Sequence, residues 1–157
     1  VFHHAFIALE TRTSSIAALA KRSSRAIRGL RIGGRDTFIA IRGLCIATDR
    51  LDEARSILLE WAGAVSEGML PNRFPNAGDA PEYNSVDASL WYLVAVYDFI
   101  RAARDLPLPD RHRLEAAVDA ILTGYTAGNR YGIRTYSDGP LAAGVPDVQL
   151  TWMDAKV

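Results

Sequence analysis

From residue 36 onward the apolar residues fall at helical rather than alternating intervals, and the spacing predicts a run of helices joined by connections. Over 38–47, Phe38, Ile39, Ala40, Ile41, Leu44, Cys45, Ile46 and Ala47 are apolar nearly all round a helical wheel, which predicts a helix buried on most sides. Beyond Thr48-Asp49-Arg50 the pattern changes. Leu51, Ala54, Leu58, Trp61, Ala62 and Val65 make one stripe, with Asp52, Glu53, Arg55 and Glu60 largely off it, so an amphipathic helix is expected over 51–65. The segment 88–103 is again apolar over most of its surface, through Leu90, Trp91, Leu93, Val94, Val96, Tyr97, Phe99 and Ile100. A last amphipathic helix is expected over 111–127, on Leu114, Ala117, Val118, Ile121, Leu122 and Tyr125.

Buried and half-exposed helices therefore alternate, as they would in a chain that zigzags between an inner and an outer layer, and the fold class expected is all-α with an α/α barrel or toroid arrangement. The connections alternate too. Those near 48–51 and 105–110 are short, whereas 67–86 and 128–150 are long and rich in Gly and Pro, the kind that carries function. In an up-down array both long connections and the amino end of the 38–47 helix fall at one end, which becomes the candidate active face.

Composition narrows the class. The 157 residues carry 18 Lys plus Arg against 18 Asp plus Glu and are 49% hydrophobic, as in a globular unit and unlike a disordered or collagenous chain. No apolar run approaches the ~20 residues that cross a bilayer, and no leader pattern opens the chain, so neither a membrane nor a secretory route is expected. A lone Cys45 forms no internal disulfide, which fits a reducing compartment, with the cytoplasm as the expected location. Charge is uneven: residues 1–35 hold seven Lys or Arg and one Glu, and residues 36–157 hold eleven against seventeen. Without a helix-turn-helix, zinc or RNA-recognition spacing, that basic segment does not predict nucleic-acid binding.

Three acidic residues stand at the starts of helices on the candidate face: Asp36, Asp87 and Asp154. Each alone is explained by the preference of helix first turns for a carboxylate, which accepts unpaired backbone N–H groups and meets the positive end of the helix dipole. Their neighbours add a second reading. Arg35 adjoins Asp36, Tyr83 and Asn84 precede Asp87, Trp91 follows it by one turn, and Trp152 precedes Asp154. Polar forks and aromatic plates around carboxylates suit a sugar, whose hydroxyls need donors and acceptors and whose C–H faces lie on rings. His3, His4 and His112 have no shared metal-ligand spacing, and no P-loop, dinucleotide, nucleophile-elbow or zinc-protease motif occurs, so neither a metal nor a cofactor is expected.

At these residues the chain resembles the glucosidase domain of glycogen debranching enzymes, the amylo-α-1,6-glucosidases. The resemblance is carried by Gly34-Arg35-Asp36-Thr37-Phe38-Ile39-Ala40, Leu70-Pro71-Asn72-Arg73-Phe74-Pro75, Glu82-Tyr83-Asn84-Ser85-Val86-Asp87-Ala88-Ser89-Leu90-Trp91-Tyr92, Tyr131-Gly132-Ile133-Arg134 and Gln149-Leu150-Thr151-Trp152-Met153-Asp154-Ala155-Lys156. It implies a six-hairpin (α/α)6 toroid, of which this chain would hold about five to six of twelve helices, with a small β-hairpin-like insertion near 131–143. Residues 34–157 would be the front half of the catalytic barrel, truncated at its C-terminus. Residues 1–33, where the family has an aromatic-rich segment, would be a divergent basic stretch poorly integrated with it. The implied activity is inverting hydrolysis of the α-1,6-linked glucose left at a branch point of glycogen or a limit dextrin. By the same resemblance Asp154 would be the general acid, with Trp152 shaping the site. Arg35, Asp36, Tyr83, Asn84, Asp87 and Trp91 would bind the sugar, and the general base would have no counterpart in this chain. The chain alone would then be inactive and inclined to self-associate through an unfinished barrel face. Another α/α-barrel glycosidase, a glycoside phosphorylase of the same barrel, and a non-catalytic helical scaffold remain the alternatives.

Overall fold

The computed structural model describes residues 33–73, 80–139, 141–142 and 150. Within them the chain forms α1 (Gly34–Ile41), continued by a wider helical turn over Arg42–Ile46, then α2 (Leu51–Ala62), α3 (Val86–Ala102), α4 (Leu108–Ala127), β1 (Arg134–Thr135) and β2 (Leu141–Ala142). In the wide turn the hydrogen bonds skip one residue further than in an α-helix: Ala47 N donates to Arg42 O at 3.0 Å and Arg50 N to Cys45 O at 2.8 Å. The two strands pair antiparallel, Arg134 opposite Ala142 and Thr135 opposite Leu141, inside the stretch where a hairpin insertion was expected.

Helix direction follows from which residues meet. Arg35 faces Asp87 and Arg42 faces Asp98, so α1 and α3 run parallel. A Cβ on Gly34 would lie 3.2 Å from the Trp61 ring, which brings the end of α2 to the start of α1 and makes that pair antiparallel. Arg55 meets Asp110, and Arg113 donates to Leu59 O, so α2 and α4 are parallel in turn. Tyr125 near the end of α4 donates to Val86 O at the start of α3. The described helices are thus two antiparallel hairpins laid side by side, α1 and α3 in one layer and α2 and α4 in the other, with the all-α class as expected.

The layers are held by a three-ring core. Phe38 packs edge-on against Trp61 at 5.0 Å between centroids and against Tyr92 at 5.1 Å, joining α1, α2 and α3. Tyr92 keeps its hydroxyl satisfied by donating to Leu58 O at 3.1 Å. Leu114, Ala117, Ile121 and Tyr125 bring α4 into the same core.

Burial departs from the sequence expectation on the inner layer. Ile39 of α1 is 43% exposed, and on α3 Leu90, Val94 and Tyr97 are 38%, 39% and 58% exposed. The buried Ala88, Ser89, Tyr92, Ala95, Val96 and Phe99 face α1, α2 and α4, while Leu90, Val94 and Tyr97 recur at helical intervals on the other side. Apolar composition all round a helix shows that every side suits burial; which side is covered depends on the neighbours. Boundaries also shift. The first helix begins at Gly34 and so takes in Arg35 and Asp36, α2 stops at Ala62 before Gly63, and α4 starts at Leu108, its Pro109 tolerated in a first turn whose N–H groups have no intrahelical acceptor.

Candidate active site

Because α1 and α3 are parallel, their amino ends lie together, and three connections converge there. Gly34 N donates to Asn72 O at 2.7 Å, Asn72 N to Glu82 O at 2.7 Å, and Val86 N to Leu150 O at 2.8 Å. Gly34 keeps this crossing close: a Cβ would sit 3.2 Å from Trp61 and 3.3 Å from Pro71 O, tight enough that a neighbour would have to give way. Neither helix has a side-chain N-cap, so the first-turn carboxylates Asp36 and Asp87 are what meets the positive helix ends.

Arg35 links the two acids. Its Nε and Nη2 both donate to Asp36 Oδ1, at 3.1 and 2.9 Å, and its Nη1 lies 3.8 Å from Asp87 Oδ2. Ser85 donates to the other oxygen of Asp87 at 2.7 Å. Asp36 is the open member, with 64% of its side chain exposed, against 28% for Arg35. The exposed Arg35–Asp36 pair contributes only about 0–1 kcal/mol to stability, whereas Arg35 and Asp87 are only 28% and 25% exposed and join the two helices. The cluster gathers a guanidinium and carboxylate oxygens at one spot, the donor and acceptor set that sugar hydroxyls use.

Beneath the cluster the start of α3 is fixed from inside. Tyr125 donates to Val86 O at 2.6 Å, and Ser89, fully buried, accepts from Leu70 N at 2.9 Å. Burial pushes the Tyr125 phenol up to about 12, with the Asp87 charge adding to the rise and a hydrogen bond with Ser89 opposing it. Tyr125 therefore stays a proton donor to the α3 backbone across the neutral range.

The aromatic candidates flank the acids differently. Trp91, partly buried, has the Arg42 guanidinium 5.8 Å from its ring centroid, and Arg42 is in turn bonded to Asp98 at 2.5 Å. Tyr83 lies under the Arg130 guanidinium at 4.1 Å. Beside it, Asn84 Oδ1 is buried with no donor directed at it among the described residues.

The structure thus brings together Arg35, Asp36 and Asp87, sets Tyr83 and Asn84 on the segment leading into α3, and places Trp91 one turn along it. Trp152 and Asp154 lie outside the described residues; Leu150, which precedes them, is bonded to Val86 at this same end. Tyr125, Arg42, Asp98 and Arg130 had no local sequence signal as supports, since each acts on residues far away in sequence. Ser85, two residues before Asp87, could have been found as a short polar turn. Among the described residues no group of three His, Cys, Asp or Glu is placed to hold a metal ion, and no helix is long and apolar enough to cross a membrane.

A family profile described as amylo-alpha-1,6-glucosidase matches residues 10–157. The chain belongs to the amylo-alpha-1,6-glucosidase family. The match takes in all the motifs above and reaches back into the basic segment, to residue 10. A similar protein is the glycogen debranching enzyme of Saccharomyces cerevisiae, 38% identical over 80 residues, which are 51% of this chain and 5% of that protein. The chain therefore spans a small part of the length of the curated relative it matches. As an amylo-alpha-1,6-glucosidase family member it falls among glycoside hydrolases.

Proposed function

We propose that this chain supplies the glucose-binding end and the general acid of an inverting glucosidase that removes the α-1,6-linked glucose at branch points of glycogen or a limit dextrin. The observation that carries the reading is Arg35, which spans two carboxylates on parallel helices, one of them, Asp36, open to solvent with 64% of its side chain exposed. In this reading Arg35 and Asp36 hold hydroxyls of the terminal glucose, Asp87 and Asn84 complete the polar lining, and Tyr83 and Trp91 offer ring faces to the C–H side of the sugar. Asp154 protonates the leaving oxygen.

An inverting hydrolase also needs a carboxylate base about 6.5–9.5 Å from the acid, with water between them. The resemblance assigns no base among these 157 residues, so the chain by itself would turn over slowly: loss of one partner of such a pair costs roughly 10²- to 10⁴-fold. The paired hairpins support the (α/α)6 toroid, and the exposed Leu90, Val94 and Tyr97 suit a face against which further helices pack, or through which the chain associates with itself. The single, buried, free Cys45 supports a cytoplasmic setting.

The test is calorimetric titration of the chain with a maltooligosaccharide bearing one α-1,6-linked glucose and with its linear counterpart. Tighter binding of the branched compound, weakened about tenfold by Arg35→Gln, is expected. Equal binding of the two, or no effect of Arg35→Gln, would refute it. For the acid, Asp154→Asn in a chain long enough to release glucose should lower kcat by at least about 10²-fold; unchanged release would remove Asp154 from that role.

A further inference from the structure

Resting on the glucan reading above, we propose that Arg130 is a positioning residue that holds the Tyr83 ring in place as an aromatic wall of the sugar site. Arg130 sits in the connection after α4, remote in sequence from everything it touches. Its guanidinium lies 4.1 Å from the Tyr83 ring centroid, well inside the range of about 6 Å in which a cation is drawn to a ring face. The same group is anchored from the turn after α2: Nη2 donates to Ser66 Oγ at 2.9 Å and to Ser66 O at 3.3 Å, and Nε stands 3.3 Å from Glu67 Oε2.

The anchor itself is fixed. Ser66 and Met69 exchange backbone hydrogen bonds at 2.9 and 3.0 Å, Met69 is fully buried, and Gly68 lies directly against Gly124 of α4. A rigid turn thus orients a planar fork, and the fork lies on a ring four residues before Asp87. Tyr83 is itself partly buried and packed against the core.

The ion pair with Glu67 does not by itself explain this arrangement. Glu67 is 67% exposed, and an ion pair in that setting contributes little. Orientation does explain it, because a ring that must be immobilised when the sugar arrives loses affinity that a ring already held retains, a difference of about two- to tenfold. Arg rather than Lys suits the task, since a single rigid plane must lie on the ring and still direct donors at Ser66 and Glu67.

The experiment titrates the full chain with the maltooligosaccharide bearing one α-1,6-linked glucose, using wild type, Arg130→Gln, Arg130→Lys, Tyr83→Leu and the Tyr83→Leu/Arg130→Gln pair, with the thermal midpoint of each. Arg130→Gln should weaken binding about two- to tenfold with little change in midpoint, and Arg130→Lys, which keeps the charge, should recover part of the loss. In the Tyr83→Leu background Arg130→Gln should add nothing, because its effect runs through that ring. Binding by Arg130→Gln equal to wild type, or losses that simply add, would overturn the proposal while leaving the glucan reading standing. Failure of the wild-type chain to bind the oligosaccharide would overturn the glucan reading itself, and this inference with it.

Discussion

Replacing Gly124 by Ala should destabilise the protein even though alanine is the better helix former. Gly124 lies inside α4, where Gly→Ala alone gains about 1 kcal/mol from helix propensity. Against that, the new Cβ would stand 2.6 Å from Gly68 Cα, 3.2 Å from Glu67 O and 3.3 Å from Gly68 C. All three are backbone atoms, so no rotamer change relieves them, and the 67–68 turn would have to retreat by most of an ångström. Overpacking of this kind costs about 1–3 kcal/mol, and rigid backbone on both sides argues for the upper half of that range. The net expectation is a loss of about 1–2 kcal/mol, or about 2–8 °C in Tm at this chain length. Gly43 supplies the control: a Cβ there meets nothing within 4 Å, so Gly43→Ala should stabilise by about 0.4–1 kcal/mol. Urea unfolding of the two variants beside wild type measures both. If Gly124→Ala were as stable as Gly43→Ala, the turn would be free to slide, and the close approach of Gly68 to α4 would not be what holds Leu70 on Ser89 at the base of the site.

Three further outcomes follow from the core and from its buried titrating groups. Phe38→Ala, which removes the ring shared by Trp61 and Tyr92, should cost about 3–5 kcal/mol in denaturant unfolding. Stability should fall at high pH: the Tyr125 phenol is raised from its ordinary value near 10 to about 12, so the unfolded chain loses its proton first, and a contribution of roughly 2–3 kcal/mol that is intact below pH 10 is lost between about pH 10 and 12, with Tyr92 raised by burial in the same direction. Circular dichroism against pH should show unfolding begin above pH 10, and Tyr125→Phe should flatten the fall. Cys45 is buried and its thiol is pushed up by burial, with Glu53 adding and Arg50 opposing, so iodoacetamide at neutral pH should leave it unmodified until denaturant is added.

How much was legible in the chain depends on the range of the interaction concerned. Helix type and order follow from the spacing of apolar residues, a local property, and the expected all-α class and the hairpin near 131–143 are both present. The Arg35-Asp36 pair was legible for the same reason, since adjacent residues on one helical turn stay close in any fold. What the sequence could not disclose was contact across elements. An up-down array put the starts of α1 and α3 at one end, but that Asp87 comes within reach of Arg35 depends on how the Phe38, Trp61 and Tyr92 rings interlock and on how closely Gly34 and Gly68 let backbone approach. The supports of the site, Tyr125 on Val86, Arg42 on Asp98 and Arg130 on Tyr83, join residues tens of positions apart, and no periodicity encodes such a pairing. Which side of an apolar helix is covered was likewise settled in three dimensions, because hydrophobicity makes burial favourable on every side but the packing of neighbours selects one.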